Sequence, residues 1–162
     1  MKDARLTEFR GITYRSKSEA MFALWLEFKY PTAVVEYEPD WAELDDYVPD
    51  FVCSLPIPAY PTQRMCVFET WVAIIEYKPS RPTFTYLDDV SKKIRSIAKR
   101  EGNIATKISA FVYWGSVYTE GRGVFTISCD GSAYETDTPM NWLGIHEKTI
   151  RDFRFDLEAT PC

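Results

Sequence analysis

The segments Tyr47-Val48-Pro49-Asp50-Phe51-Val52-Cys53 and Val72-Ala73-Ile74-Ile75-Glu76-Tyr77-Lys78 decide how this chain is read. Both are rich in β-branched and aromatic residues, the composition of strands. Each also carries charge where a strand is otherwise apolar. Alternation along a strand puts Glu76 and Lys78 on one face. Asp50 is a residue type that strands disfavour, yet the Phe-Val after it continues the apolar pattern. Charge at the end of an apolar strand is costly unless it has a task. The alternative for Glu76 and Lys78 is a solvated pair of neighbours on an edge strand.

Working outward, Ser16-Lys17-Ser18-Glu19 opens the apolar run Ala20 to Leu26, which ends near Lys29-Tyr30-Pro31. Ser16 and Glu19 have capping-box spacing and Pro31 stops the helix, so a buried helix is predicted here. Val34 to Glu38 reads as a strand. Residues 54–70, with Pro56, Pro58 and Pro61, read as a proline-punctuated hairpin tip or flap. After Pro79, Leu87, Val90, Ile94, Ile97 and Ala98 recur at the spacing of one helical face, with a basic face opposite. Ile108 to Trp114 is a nearly continuous apolar strand suited to the middle of a sheet. Val124 to Cys129 is a fifth strand closed by Asp130-Gly131, and residues 142–158 are expected to hold a terminal helix. The order α, β, β, β, α, β, β, α predicts an α/β fold with a mixed central sheet of about five strands flanked by helices.

The chain of 162 residues fits one domain, 1–162, and its 46% hydrophobic and 27% charged composition excludes a disordered polymer. No window approaches the roughly 18 apolar residues of a membrane span, and Met1-Lys2-Asp3-Ala4-Arg5 opens no signal-peptide core, so no membrane partner and a cytoplasmic location are expected. Four cysteines without C-x-x-C spacing and the single His146 argue against a zinc site, and the cysteines are expected to be reduced thiols. The formal net charge of −5 is unevenly distributed. Residues 30–79 hold nine acidic and two basic side chains, whereas residues 80–107 hold seven basic and three acidic ones. One set suits metal and the other phosphate, or the two sets pair with each other.

Phosphodiester hydrolysis gives Asp50, Glu76 and Lys78 a task. Two converging carboxylates and a backbone carbonyl bind Mg²⁺ through oxygen, the metal activates water, and a lysine steadies the attacking water or the phosphate. The ordered set Tyr14-Arg15-Ser16-x-x-Glu19, Tyr37-Glu38, Tyr47-Val48-Pro49-Asp50-Phe51 and Glu76-Tyr77-Lys78-Pro79 resembles the PD-(D/E)XK nuclease superfamily over residues 14–79. Within it, the pattern is most similar to small junction-resolving endonucleases of phages and to endonuclease subunits of transposition systems.

The resemblance implies a restriction-endonuclease-like core and a phage or mobile-element protein. It implies Asp50, Glu76 and the Tyr77 carbonyl as ligands of Mg²⁺, with Mn²⁺ as substitute. Lys78 is then the catalytic lysine, and Glu19 completes the metal or water shell, although the capping box alone would also account for Glu19. The 25 residues between Asp50 and Glu76 are more than these motifs usually have, and imply an insertion. DNA, duplex or branched, is the expected partner, with Arg15, Lys17, Lys92, Lys93, Lys99 and Arg100 facing phosphate and a homodimer cutting two strands. The basic helix face is otherwise an ordinary solvated one. The overall acidity keeps a second class open: a non-catalytic binding or inhibitor protein on the same fold, a DNA-mimicking decoy or an assembly partner. Tyr113 and Trp114 are read as core, Asp45-Asp46 and Asp130 as turn formers, and His146 as incidental.

Overall fold

A computed structural model of the chain describes residues 6–56, 70–102, 106–116, 121–128 and 133–135. A hairpin of β1 (Thr7–Phe9) and β2 (Ile12–Tyr14) leads into helix α1 (Lys17–Lys29) and strand β3 (Val34–Tyr37). A 3-10 turn at Asp40–Ala42 precedes β4 (Phe51–Pro56) and β5 (Thr70–Lys78), followed by helix α2 (Phe84–Glu101), β6 (Thr106–Gly115), β7 (Arg122–Ile127) and β8 (Ala133–Glu135). Strands β3 to β8 lie side by side in chain order in one mixed sheet. β5 and β6 run parallel, and the remaining neighbours in that sheet are antiparallel. A parallel pair needs a long crossover, which α2 supplies.

Alternation along the strands builds two cores. Phe51 and Cys53 of β4, Ala73, Ile75 and Tyr77 of β5, and Tyr113 of β6 meet α1 on one face. Val52, Ile74, Ala110, Val112, Phe125 and Ile127 meet Leu87, Val90, Ile94 and Ile97 of α2 on the other. Helix α1 is buried without interruption from Ala20 to Leu26, and Phe9 and Tyr14 of the hairpin pack into its cluster. At its centre Phe22 stacks on Tyr77 (4.7 Å between ring centroids, 15° between planes) and meets Phe51 edge-on at 5.3 Å. The Ser16 Oγ accepts from the Glu19 N–H at 3.2 Å, as the capping box predicts. Thr83 caps α2 by accepting from the Tyr86 N–H, also at 3.2 Å.

The mixed α/β reading holds, with corrections. The main sheet has six strands, because β8, only three residues long, adds to its far edge. The β1–β2 hairpin escapes a pattern search because three-residue strands show no periodicity. Its signal is local: Arg10 and Gly11 both have positive φ (51° and 81°), as a two-residue primed turn requires. The second expected strand begins at Phe51 and not at Tyr47, since Tyr47 instead closes a turn with Leu44 through two backbone hydrogen bonds of 2.8 and 2.9 Å. Asp45 and Asp46 occupy that turn at φ 48° and 63°, in the turn-forming role read from the sequence. β6 lies inside the sheet and Tyr113 is core, as expected. Most of the flap at 54–70, the Asp130-Gly131 turn, His146 and the terminal helix at 142–158 lie outside the described residues. Among the described residues no helix is long and apolar enough to cross a membrane.

Candidate active site

The pairing of β4 with β5 ends at Phe51 opposite Ile75, so Asp50 and Glu76 are the residues that flank its last rung. Glu76 shares parity with Ile74, so its side chain leaves the sheet on the α2 face, whereas the Asp50 carboxylate reaches the β5 backbone. Pro49, just before Asp50, has no N–H to offer a neighbouring strand. The Tyr77 N–H donates to Asp50 Oδ2 at 2.8 Å. Because a strand residue's N–H and C=O point to the same side, the Tyr77 carbonyl is turned toward Asp50 as well. Asp50 is 1% and Glu76 4% exposed, and β5 is an interior strand, which removes the solvated edge pair as an account of Glu76.

The two carboxylates have different partners. Asp50 Oδ1 accepts a hydrogen bond from Arg15 Nη2. Glu76 Oε2 accepts from the Tyr47 hydroxyl and Oε1 from the Tyr86 hydroxyl, each at 2.6 Å. Tyr47 is delivered by the Asp45-Asp46 turn and Tyr86 by the first turn of α2. Lys78 Nζ lies 3.5 Å from Glu76 Oε1 and 4.8 Å from the centre of the Tyr86 ring, so the ammonium is held between a carboxylate and an aromatic face.

Burial, with the charge of Glu76 beside it, pushes the Asp50 carboxyl up to about 8, although the Tyr77 N–H and Arg15 both favour its ionised form. Burial and then the charge of Glu76 hold the Tyr47 and Tyr86 hydroxyls protonated far above their ordinary range, which keeps them donors. The site therefore crowds two carboxyl groups into a poorly solvated place, where a bound cation would favour the ionised form of both.

Glu19 stands at the start of α1, and its Oε2 accepts from the Tyr37 hydroxyl at 2.7 Å and from the Arg15 N–H at 3.1 Å. It joins Asp50 through a shared neighbour: Arg15 Nη2 lies 3.5 Å from Glu19 Oε1. Arg15 Nε also lies 2.9 Å from Glu38 Oε1. A cleft of about 480 Å³ opens over the site. Glu38, Asp40, Asp46, Asp50, Glu76 and Asp89 supply six acidic groups to its lining, against three basic ones from Arg15, Lys78 and Lys93.

The chain matches no family model, no curated protein and no solved structure among those compared. The site's chemistry thus rests on its own donors. Among the described residues no three His, Cys, Asp or Glu side chains converge closely enough to cage an ion by themselves. Mg²⁺ is commonly held by one or two carboxylates, with water and phosphate oxygens completing its octahedron. Asp50, Glu76 and the Tyr77 carbonyl are an all-oxygen set of that kind, which fits a hard cation.

The expected residues are brought together unequally. Asp50, Glu76, Tyr77 and Lys78 meet at one end of β4 and β5. Glu19 reaches the edge of this group, bound to Arg15 and Tyr37 rather than completing a three-carboxylate cluster. The phosphate-facing set does not form a bare cationic surface. Arg15 is spent on three carboxylates. Lys92 and Lys93 pair with Asp88 and Asp89 one turn back, at 2.9 and 3.1 Å. Arg100 donates to the carbonyls of Glu43 (2.6 Å) and Trp41 (3.0 Å), tying the 3-10 turn to the end of α2. Lys17 and Lys99 are exposed and do not line the cleft, whereas Lys93 does. Sequence reasoning missed Tyr86 and gave Tyr37, Glu38 and Tyr47 no role. Their positions in the ordered motif were a signal for the last three, and the helix start after Thr83 was one for Tyr86.

Proposed function

We propose that this chain is a Mg²⁺-dependent endonuclease that hydrolyses DNA phosphodiester bonds, with a restriction-endonuclease-like core of the PD-(D/E)XK kind. The observation that supports the reading is the meeting, at the end of β4 and β5, of two buried carboxyl groups, Asp50 and Glu76, with Lys78 Nζ 3.5 Å from Glu76 Oε1. A buried carboxylate pair beside a lysine has no packing advantage over apolar residues, and a hydrolytic site explains its position.

Asp50, Glu76 and the Tyr77 carbonyl would hold Mg²⁺, with Mn²⁺ as substitute. The bound ion would supply Lewis acidity toward the phosphate and make its water a better nucleophile. Tyr47 and Tyr86 fix the orientation of Glu76 by donating to each of its oxygens, leaving a second lone pair on each oxygen for other partners. Lys78, partly exposed in the cleft, presents N–H donors where an attacking water or a non-bridging phosphate oxygen would sit. Tyr37 and the Arg15 N–H hold Glu19 at the rim, from which it would orient water. The carboxylates around the mouth repel a polyanion, so DNA would approach productively only once the site carries cations.

That same acidic mouth favours a second reading, a non-catalytic protein whose carboxylates mimic or capture a partner. A Mn²⁺ titration followed by calorimetry separates the two. The nuclease reading predicts one site that Asp50→Ala removes, together with Mg²⁺-dependent cutting of a duplex or four-way junction. A wild-type protein that binds no divalent ion and leaves both DNAs intact would instead support the binding protein.

A further inference from the structure

Arg15 was expected to face phosphate, yet its guanidinium lies inside the acidic cleft. It sits one residue ahead of the α1 cap, with its backbone N–H held by Glu19 Oε2 (3.1 Å) and the Tyr37 hydroxyl (3.2 Å). Its side chain meets three carboxylates: Nε lies 2.9 Å from Glu38 Oε1, and Nη2 contacts Asp50 Oδ1 and lies 3.5 Å from Glu19 Oε1. The burial of these partners is unequal. The Asp50 side chain is 2% exposed, the Glu38 side chain 37%, and that of Arg15 53%. The guanidinium thus spans the cleft from a buried carboxylate to a solvated one.

We infer that Arg15 is the resident partner of Asp50 in the metal-free site, and that a divalent ion must displace it, so that Arg15 sets the metal affinity of the site. This rests on the proposed function. An Mg²⁺-sized ion needs oxygen at 2.0–2.1 Å, and Arg15 already occupies the approach to Asp50 Oδ1. A guanidinium and a divalent ion against one buried oxygen would repel each other in a medium that screens poorly. Displacement asks little of the fold. The Arg15 backbone is anchored independently of its guanidinium, the side chain is half solvated, and Glu38 remains as a partner at the rim. Glu76 faces no guanidinium: its oxygens carry two neutral hydroxyls, and Lys78 stands at 3.5 Å.

The consequence for binding follows from occupancy. An apparent dissociation constant rises as the reciprocal of the fraction of molecules whose site is open, so a guanidinium in place nine-tenths of the time weakens metal binding about tenfold. Replacing it with a neutral side chain returns that factor.

The test is calorimetric titration of Mn²⁺ into the wild type, Arg15→Gln, Arg15→Lys and Asp50→Asn, without DNA. Arg15→Gln is expected to bind at least about tenfold more tightly than wild type and Arg15→Lys to fall between them, because a single ammonium cannot span Asp50 and Glu38 as the guanidinium does. Asp50→Asn is expected to lose the site. Should Arg15→Gln not fold, Arg15→Lys decides alone, and it must bind more tightly than wild type. Metal binding by wild type with equal or weaker binding by the Arg15 variants would overturn the inference and leave the proposed function standing. Binding by Arg15→Gln but not by wild type would support it. No binding by any of these proteins at millimolar Mn²⁺ would overturn both.

Discussion

Replacing Asp50 with asparagine should stabilise the fold at alkaline pH while removing the site's function. Folded Asp50 keeps its proton up to about 8, whereas in the unfolded chain it releases it near the ordinary 3.8. Across that window the folded state binds more protons than the unfolded one, so Asp50 makes stability fall as pH rises, and its contribution levels off above about 8. At about 1.4 kcal/mol per pH unit, the full window corresponds to a ceiling on the order of 5 kcal/mol. Asparagine keeps the shape and carries no charge to desolvate; its one oxygen can accept from the Tyr77 N–H, which turns its NH₂ toward Arg15 and leaves the half-exposed guanidinium to Glu38. Urea unfolding at pH 4, 6, 8 and 9 should give curves for wild type and Asp50→Asn that converge at pH 4 and separate in favour of the variant toward pH 9. Mg²⁺ at a hundred times its dissociation constant should restore about 2.7 kcal/mol to wild type and nothing to the variant. Parallel pH curves, or a variant less stable than wild type at pH 9, would refute the claim that Asp50 is held as a destabilised charge.

Other perturbations test the surrounding structure. Tyr47→Phe and Tyr86→Phe each remove a hydroxyl donor to the buried Glu76, and each should cost about 2 kcal/mol in urea unfolding and weaken Mn²⁺ binding. Phe22→Ala empties the aromatic centre under α1 and should cost about 3–5 kcal/mol, read as a lower denaturation midpoint with unchanged slope. Lys92→Gln breaks only a one-turn surface pair and should leave the urea midpoint unchanged, whereas Lys93→Gln also removes a cation from the Tyr47 ring and should lower it slightly. If these two lysines meet phosphate, the double variant will weaken DNA binding and flatten its salt dependence in a fluorescence anisotropy titration.

Features set by local chemistry were legible in the residues alone. Ser16 and Glu19 marked the start of α1, Pro31 its end, and the recurrence of Leu87, Val90, Ile94 and Ile97 marked the buried face of α2. Asp50 and Glu76 were conspicuous as charges in apolar strands, and Asp45-Asp46 as a turn. Side chains whose role depends on distant partners were not legible. Whether Arg15 faces phosphate or carboxylate depends on α1 arriving beside β4, and Tyr86 reaches Glu76 only because α2 packs on that face of β5. Lys92 and Lys93 read as a basic surface because side-chain pairing along a helix depends on rotamers the sequence does not display, and Asp88 and Asp89 one turn back take both ammoniums. The short strands β1, β2 and β8 carry too few residues for any period to show.

Cleavage of supercoiled plasmid in Mg²⁺ and in Mn²⁺ by wild type, Glu76→Ala and Lys78→Ala tests the central claim most directly, with a synthetic four-way junction run in parallel to compare substrates. The account predicts metal-dependent cutting by wild type that both substitutions abolish while the folded state survives. Intact plasmid and junction after incubation with pure, folded wild type in either metal, or cutting that persists in Glu76→Ala, would contradict it.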